Sequence, residues 1–321
     1  MTSKNNKIIL NSWPKYSAEE ISVVNKVLES GEVNYWTGKE GKKFEEEFSV
    51  WCGVKYSIAI ANGTLALELA LRAIGIKEGD EVIVTPRSFI ASVSCVESMG
   101  AKPVFAEVDL DSGNITSETI SSVITSKTRA VICVHLAGWP CEMSSIMNLS
   151  RKHNFFVIED CAQAHGAKYK GMSVGSIGDI GCWSFCQDKI MSTGGEGGMV
   201  TTNDKLLWEK MWSYKDHGKS YSAVHEKKHA PGFRWVHESF GTNFRMTEMQ
   251  SAIGRIQLRK LKEWSRIRRN NAKKLKEVCD KFKNFLYTPT CTDISIHAYY
   301  KFYTYLNLSA LKEGWTREKI I

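Results

Sequence analysis

Between Glu81 and Glu159 the chain alternates short, almost wholly apolar runs with stretches of helical spacing. The runs are Glu81–Thr85, Pro103–Val108, Ala130–His135 and Phe155–Glu159, with Ser57–Ala61 before them. Helices are expected between them, over Ser88–Met99, Ser117–Ile124 and Met143–His153. A strand that is apolar on both sides must be covered on both sides, and strands separated by helices pair in parallel through crossovers. The alternation therefore predicts an α/β chain, a three-layer αβα sandwich with a mainly parallel central sheet. Sheets of this kind bind ligands beyond the carboxyl ends of their strands. The residues expected there are Asn62–Thr64, Thr85–Phe89, His135–Trp139 and Asp160–His165, a chemically varied set.

The flanking segments read as follows. Ser17 to Glu20 forms a capping box ahead of Ile21, Val24, Val27 and Leu28. A second helix carries Phe44, Phe48 and Trp51 on one face. Asn62-Gly63-Thr64 stands between a strand and a strong helix, so backbone N–H groups converge there as at an anion site. Thr64 as a plain helix cap fits the same residues equally well. Asp204 starts a helix with Trp208 and Trp212, and Tyr214–Phe240 reads as a long surface loop. In that loop His225 and His229 share a helix face, but no nearby acid or cysteine completes a ligand set, so no metal is expected. His297–Asn307 alternates aromatic residues and is expected to be a strand, and Leu311–Ile321 a helix. Residues 1–250 would form a large domain with an N-terminal arm, 1–30. Residues 251–321 would supply a long basic helix and the start of a smaller, incomplete α+β domain.

The net charge of +8 is concentrated. Between Arg255 and Asn284 there are twelve Lys/Arg and only three acids, Glu263, Glu277 and Asp280. Ile256, Leu258, Leu261, Trp264 and Ile267 lie at helical spacing within that stretch. The plain reading is a solvated helix; sharper ones are attraction of an anionic substrate or binding of nucleic acid. No apolar run reaches membrane-spanning length, and the first seventeen residues lack a secretory h-region. Nine cysteines without zinc spacing suggest reduced thiols and a cytoplasmic protein.

The chemistry centres on Val157–Thr202. Asp160 closes an apolar run, Ser184 closes another, and Lys189 follows in a loop that leads to Gly194-Gly-Glu-Gly-Gly198. A lysine that attacks a carbonyl must be partly neutral, which burial or neighbouring cations arrange. Pyridoxal phosphate would also require an acid for its pyridine nitrogen, a cover for the ring, a phosphate cradle and a partner for its phenolic oxygen. Asp160, Phe89, Gly63 with Thr64 and Ser184, and Gln163 are of the right types, with Lys189 for the covalent bond.

Asn62-Gly-Thr64, the run from Glu159 to Ala167, the run from Gly175 to Phe185, Lys189 before the glycine cluster, and Gly241–Gly254 together resemble the sugar aminotransferases of the DegT/DnrJ/EryC1/StrS type, which have the aspartate-aminotransferase-like fold type I. The resemblance runs from about Asn11 to the end. It implies Lys189 as the Schiff-base lysine and proton carrier, Asp160 at the pyridinium, Gln163 near the cofactor oxygen, and Gly63, Thr64 and Ser184 at the phosphate. Phe89 would stack on the ring, although Arg87-Ser88 precedes it where the family has a small or polar run. Asn243 would reach the phosphate in a neighbouring subunit, which implies a homodimer. A nucleotide-linked keto-sugar and an amino-acid donor, glutamate above all, would be the substrates, with no role for nucleic acid or membrane. A dehydratase branch of the family carries histidine in place of the lysine, so Lys189 points to transamination. Family members usually continue past residue 321, where a C-terminal domain completes the sugar pocket. A truncated, non-catalytic partner subunit and a nucleic-acid-binding protein are the alternatives.

Overall fold

Seven strands form the central sheet of the computed structural model, which describes residues 13–229, 232, 234 and 236–320. Two helices, α1 (Ala18–Ser30) and α2 (Glu40–Cys52), come first. Strand and helix then alternate: β1 (Tyr56–Ile60), α3 (Gly63–Ala73), β2 (Glu81–Val84), α4 (Ala91–Glu97), β3 (Lys102–Phe105), α5 (Ser117–Ser121), β4 (Thr128–Val134), α6 (Met143–His153) and β5 (Phe156–Asp160). Two short strands, β6 (Lys168–Tyr169) and β7 (Met172–Ser173), precede β8 (Ile180–Ser184) and β9 (Gly198–Thr202). The helices α7 (Lys205–Lys215), α8 (Tyr221–His225) and α9 (Glu248–Cys279) follow. The sheet order is β1-β9-β8-β5-β4-β2-β3, and β9 alone runs against the other six.

Period-two alternation divides the strand side chains between the two faces. Along β4, Ala130, Ile132 and Val134 pack with α3, α4 and α7, whereas Val131 and Cys133 pack with Met143 and Ile146 of α6. Ala59, Trp183, Phe185 and Met199 face Phe44 and Phe48 of α2 and Leu258 and Leu261 of α9. Both faces are covered, so the chain is the three-layer αβα sandwich with a mainly parallel sheet that its alternation predicts.

The basic stretch lies on α9, a helix of 32 residues that runs unbroken across positions 250 and 251. Part of its charge is engaged within the chain. Arg255 pairs with Glu40 and Glu47 of α2, while Arg259 and Lys260 pair with Glu19 and Glu20 of α1. Among the described residues no helix is long and apolar enough to cross a membrane, and all nine cysteines are unpaired.

Three local expectations fail. The helix after β2 starts at Ala91 rather than Ser88, which leaves Ser88–Ile90 as a loop. His297–Asn307 is not one strand: only β12 (Tyr305–Leu306) is extended there, paired with β10 (Leu286–Tyr287), while β11 (Ser295–Ile296) joins β6. The reason is where its backbone bonds go. Ala298 N–H donates to Gly138 O at 2.9 Å and Lys301 N–H to Ala137 O at 3.2 Å, so the segment docks on a loop instead of a ladder. The terminal helix is confined to α10 (Arg317–Ile320), because a turn at Leu308–Ala310, extended backbone at Leu311 and a left-handed Gly314 precede it; Ile321 lies outside the described residues. In the expected loop Tyr214–Phe240, α7 runs to Lys215 and α8 packs His225 against Trp36 and Trp212; residues 230, 231, 233 and 235 lie outside the described residues.

Candidate active site

The carboxyl ends of β1, β2, β4, β5 and β8 open onto one cavity of about 780 Å³. Gly63, Thr64, Phe89, Asp160, Gln163, Ser184 and Lys189 all line it. Asn243 does not. It lies in the extended segment before α9, where its backbone bridges Asp216 and its Oδ1 accepts the Arg245 N–H at 3.3 Å.

The turn from β1 into α3 forms one wall. The Asn62 side chain caps α3 by accepting the Leu65 N–H at 2.9 Å, so Thr64 is not the cap and its hydroxyl makes no bond within the described residues. The first N–H groups of a helix lack intrahelical acceptors and sit at the positive end of its dipole, so Gly63 and Thr64 present an anion-binding edge. Gly63 must be glycine: a Cβ there would lie 2.6 Å from the Ser184 Cβ. Gly198 is equally confined, since its Cβ would lie 2.5 Å from the Asn62 carbonyl oxygen. The Ser184 hydroxyl accepts the Cys186 N–H at 3.4 Å.

Asp160 ends β5. Its Oδ2 accepts the Ser92 hydroxyl at 2.8 Å and its Oδ1 the Ala162 N–H at 3.1 Å. Burial pushes its carboxyl above the usual carboxylate value, against the pull of those hydrogen bonds and of nearby Lys189. No described lysine or arginine pairs with it, so a buried acid faces the cavity without a cation. Next to it, Glu159 points to the other side of the sheet. Its Oε2 meets His135 Nε2 at 3.0 Å, and its Oε1 accepts the Ile177 and Gly178 N–H groups at 2.8 and 2.7 Å. His135 Nδ1 accepts the Cys141 N–H at 3.0 Å, which assigns the proton to Nε2. Burial alone would raise Glu159, but the His135 bond and the loop N–H groups outweigh it and hold the carboxyl below its usual value. The donor atoms of His135, Glu159 and Cys161 lie within 4.8 Å of one another, as in a cation site. Hydrogen bonds already occupy His135 Nδ1 and both Glu159 oxygens, so the group ties β4, β5 and the 175–179 loop together.

Lys189 projects from the loop after β8, with its Nζ 3.0 Å from Asp188 Oδ2 and 5.3 Å from the Tyr300 ring centre. Its carbonyl accepts the Trp13 indole N–H at 2.9 Å. Gln163 Oε1 accepts the N–H of Ala137, a residue in left-handed conformation, at 2.7 Å, which leaves its amide N–H groups for a ligand. Phe89 is 68% exposed at the cavity wall.

Sequence reasoning missed Ser92, Asp188 and Tyr300. Ser92 lies one helical turn beyond Ser88, and Asp188 adjoins the lysine, so both carried a local signal. Tyr300 carried none, being 112 positions from its partner.

The family model described as the DegT/DnrJ/EryC1/StrS aminotransferase family matches residues 14–320. The chain belongs to that family. A GDP-perosamine synthase of Escherichia coli O157:H7 is 43% identical over 248 residues, 76% of this chain and 64% of that protein, so the match spans less than two thirds of that relative. The dTDP-3-amino-3,6-dideoxy-alpha-D-galactopyranose transaminase of Aneurinibacillus thermoaerophilus is 41% identical over 289 residues, 90% of this chain and 75% of that protein. Among solved structures, an aminotransferase from Psychrobacter cryohalolentis superposes with a TM-score of 0.95 at 58% identity, over 97% of this chain and 80% of that one. One of these relatives is named as a transaminase of a dTDP-linked sugar, and the solved neighbour shares the fold-type-I sandwich. DegT/DnrJ/EryC1/StrS aminotransferases use pyridoxal phosphate, and the residues here fit it. A cradle that a Cβ on Gly63 would fill, a buried acid short of a cation and a lysine amine share one cavity.

Proposed function

We propose that this chain uses pyridoxal phosphate to move an amino group, from glutamate, onto a keto group of a nucleotide-diphosphate-linked deoxysugar. The product is an amino sugar for a surface polysaccharide such as an O-antigen. One observation carries the reading: Lys189, Asp160 and the Gly63–Ser184 cradle converge in a single cavity at the carboxyl edge of the sheet.

When bound, the cofactor supplies an electron sink next to the reacting carbon. The chain does the rest. Asp160, held by Ser92 and the Ala162 N–H, keeps the pyridine nitrogen protonated. The N–H groups of Gly63 and Thr64, with the Thr64 and Ser184 hydroxyls, hold the phosphate. Phe89 covers the ring, and the free amide edge of Gln163 donates to the phenolic oxygen. Lys189 would hold the cofactor covalently through its amine and would carry a proton at Nζ to and from the reacting carbon.

Asn243 stands away from its own cavity, and we assign it to the phosphate of a second copy, so the active unit is a homodimer with shared sites. Residues 1–250 make up the cofactor-binding domain, and the segment after α9 closes the substrate side through Tyr300 and Tyr303. Both substrates are cytoplasmic metabolites, and we place the enzyme there. The relatives' names support the substrate class.

The test is a panel of nucleotide-linked keto-deoxysugars offered to the cofactor-loaded protein with glutamate, read by mass spectrometry. An aminated sugar that Lys189→Ala does not make supports the reading. No aminated product from any panel member, with cofactor bound, contradicts it.

A further inference from the structure

Tyr300 lies in a segment that lines the cavity, fixed on either side by the backbone bonds of Ala298 and Lys301 to the 137–138 loop. Its hydroxyl donates to Asp188 Oδ2, the same oxygen that accepts from Lys189 Nζ. The ammonium also lies against the Tyr300 ring. A single carboxylate oxygen therefore takes two donors, one from the catalytic loop and one from a segment 112 positions away. The proposed transfer gives Asp188 no task and uses Tyr300 only to close the substrate side.

We infer that Asp188 and Tyr300 are positioning residues for Lys189: the pair receives the amine whenever it is not bonded to the cofactor and sets how tightly it is held back from a carbonyl. The inference rests on Lys189 being the cofactor-binding lysine.

The argument is electrostatic. A carboxylate 3.0 Å from the lysine nitrogen holds it in a charge-assisted hydrogen bond that must break before the amine attacks a carbonyl. Left alone, that oxygen would bind the amine at full strength. The Tyr300 hydroxyl draws on the same oxygen and weakens that grip. The other titratable or charged groups around Lys189 are Asp160 at the end of β5, Glu196 and Cys186 on its own wall, Arg87 beyond β2, Lys301 beside Tyr300, and buried His165 behind the loop. Among the described residues only Asp188 is within ion-pair distance of Nζ. Asp188 is held below the usual carboxylate value because the Tyr300 and Lys189 contacts outweigh its burial, so it is charged at neutral pH. Burial and Asp188 together push the Tyr300 phenol up, so it remains a donor.

Two nearly isosteric substitutions should then move the amine in opposite directions. Asp188→Asn removes the charge, and Tyr300→Phe removes the donor but keeps the charge and the ring. The experiment is competitive acetylation of the cofactor-free protein across pH, with Lys189 reactivity read by peptide mass spectrometry against exposed lysines as internal references. At mildly alkaline pH Lys189 should react about threefold faster than wild type in Asp188→Asn and about threefold slower in Tyr300→Phe, a spread ordinary for one partly exposed ion pair or its donor. Capture of added pyridoxal phosphate should follow the same order. Equal reactivity in all three proteins, or a shift of both variants in one direction as mere loosening would give, overturns the inference. If wild type binds the cofactor at Lys189 and only the order fails, the aminotransferase reading stands and this inference alone falls. If wild type never binds it there, both fall.

Discussion

Gly63 presses on Ser184: a Cβ on Gly63 would lie 2.6 Å from the Ser184 Cβ and 3.1 Å from its hydroxyl oxygen. The two residues come from different strand ends, and their contact makes the phosphate cradle. Gly63→Ala should therefore cost about 1–3 kcal/mol by overpacking and weaken cofactor binding. Adding Ser184→Gly should recover much of the stability but not the affinity, because the hydroxyl is gone. Thermal denaturation of the two single variants and the double variant checks this, with coupling of at least ~0.5 kcal/mol expected for residues in contact. Simple additivity would contradict the contact.

Asp160 is placed for binding at the expense of stability. Its folded-state pKa is raised by burial, so the folded chain holds that proton more tightly than the unfolded chain does. The contribution is harmless below the unfolded value and turns unfavourable as pH rises through the folded one. Asp160→Asn should raise the melting temperature of the cofactor-free protein near neutral pH, with the gain vanishing as pH falls toward the unfolded carboxylate value. The same variant should retain little transamination. A melting curve lowered at neutral pH would count against this account of the acid.

Glu159 has the opposite sign. Its folded-state pKa is lowered, so its bonds to His135, Ile177 and Gly178 add stability above the unfolded value and lose it as pH falls through the folded one. Glu159→Gln should cost about 3 kcal/mol at neutral pH, typical of breaking a buried charged network. The gap from wild type should narrow in acid below the ordinary carboxylate range. Urea unfolding at a series of pH values reads this directly, and a gap that stays constant with pH would rule it out.

Much of this architecture was legible beforehand, for a physical reason. Runs such as Ala130–His135 are apolar at every position, and only a strand covered on both faces tolerates that. The strand ends then brought Gly63, Asp160, Ser184 and Lys189 to one edge. The C-terminal aromatics misled because their alternation matches a strand, while their backbone bonds go to Ala137 and Gly138. Thr64 could not be told from a cap until Asn62 was seen to fill that role. The basic face of α9 read most plainly as a solvated helix; the sequence gives no sign that part of it pairs with Glu19, Glu20, Glu40 and Glu47 of this same chain.

A shared site makes a prediction about mixtures. Lys189→Ala and Asn243→Ala subunits should each be impaired alone. Unfolded and refolded together, they should form heterodimers in which one site has both an intact lysine and an intact asparagine. Activity should rise well above the sum of the two parents. Activity equal to that sum would show that Asn243 serves its own subunit or none.

The central claim is that Lys189 holds the cofactor. Wild-type protein mixed with pyridoxal phosphate, reduced with borohydride and digested should yield one peptide carrying the reduced cofactor, with the added mass on Lys189. Folded protein that yields no such peptide, or carries the mass on another lysine, would contradict the account.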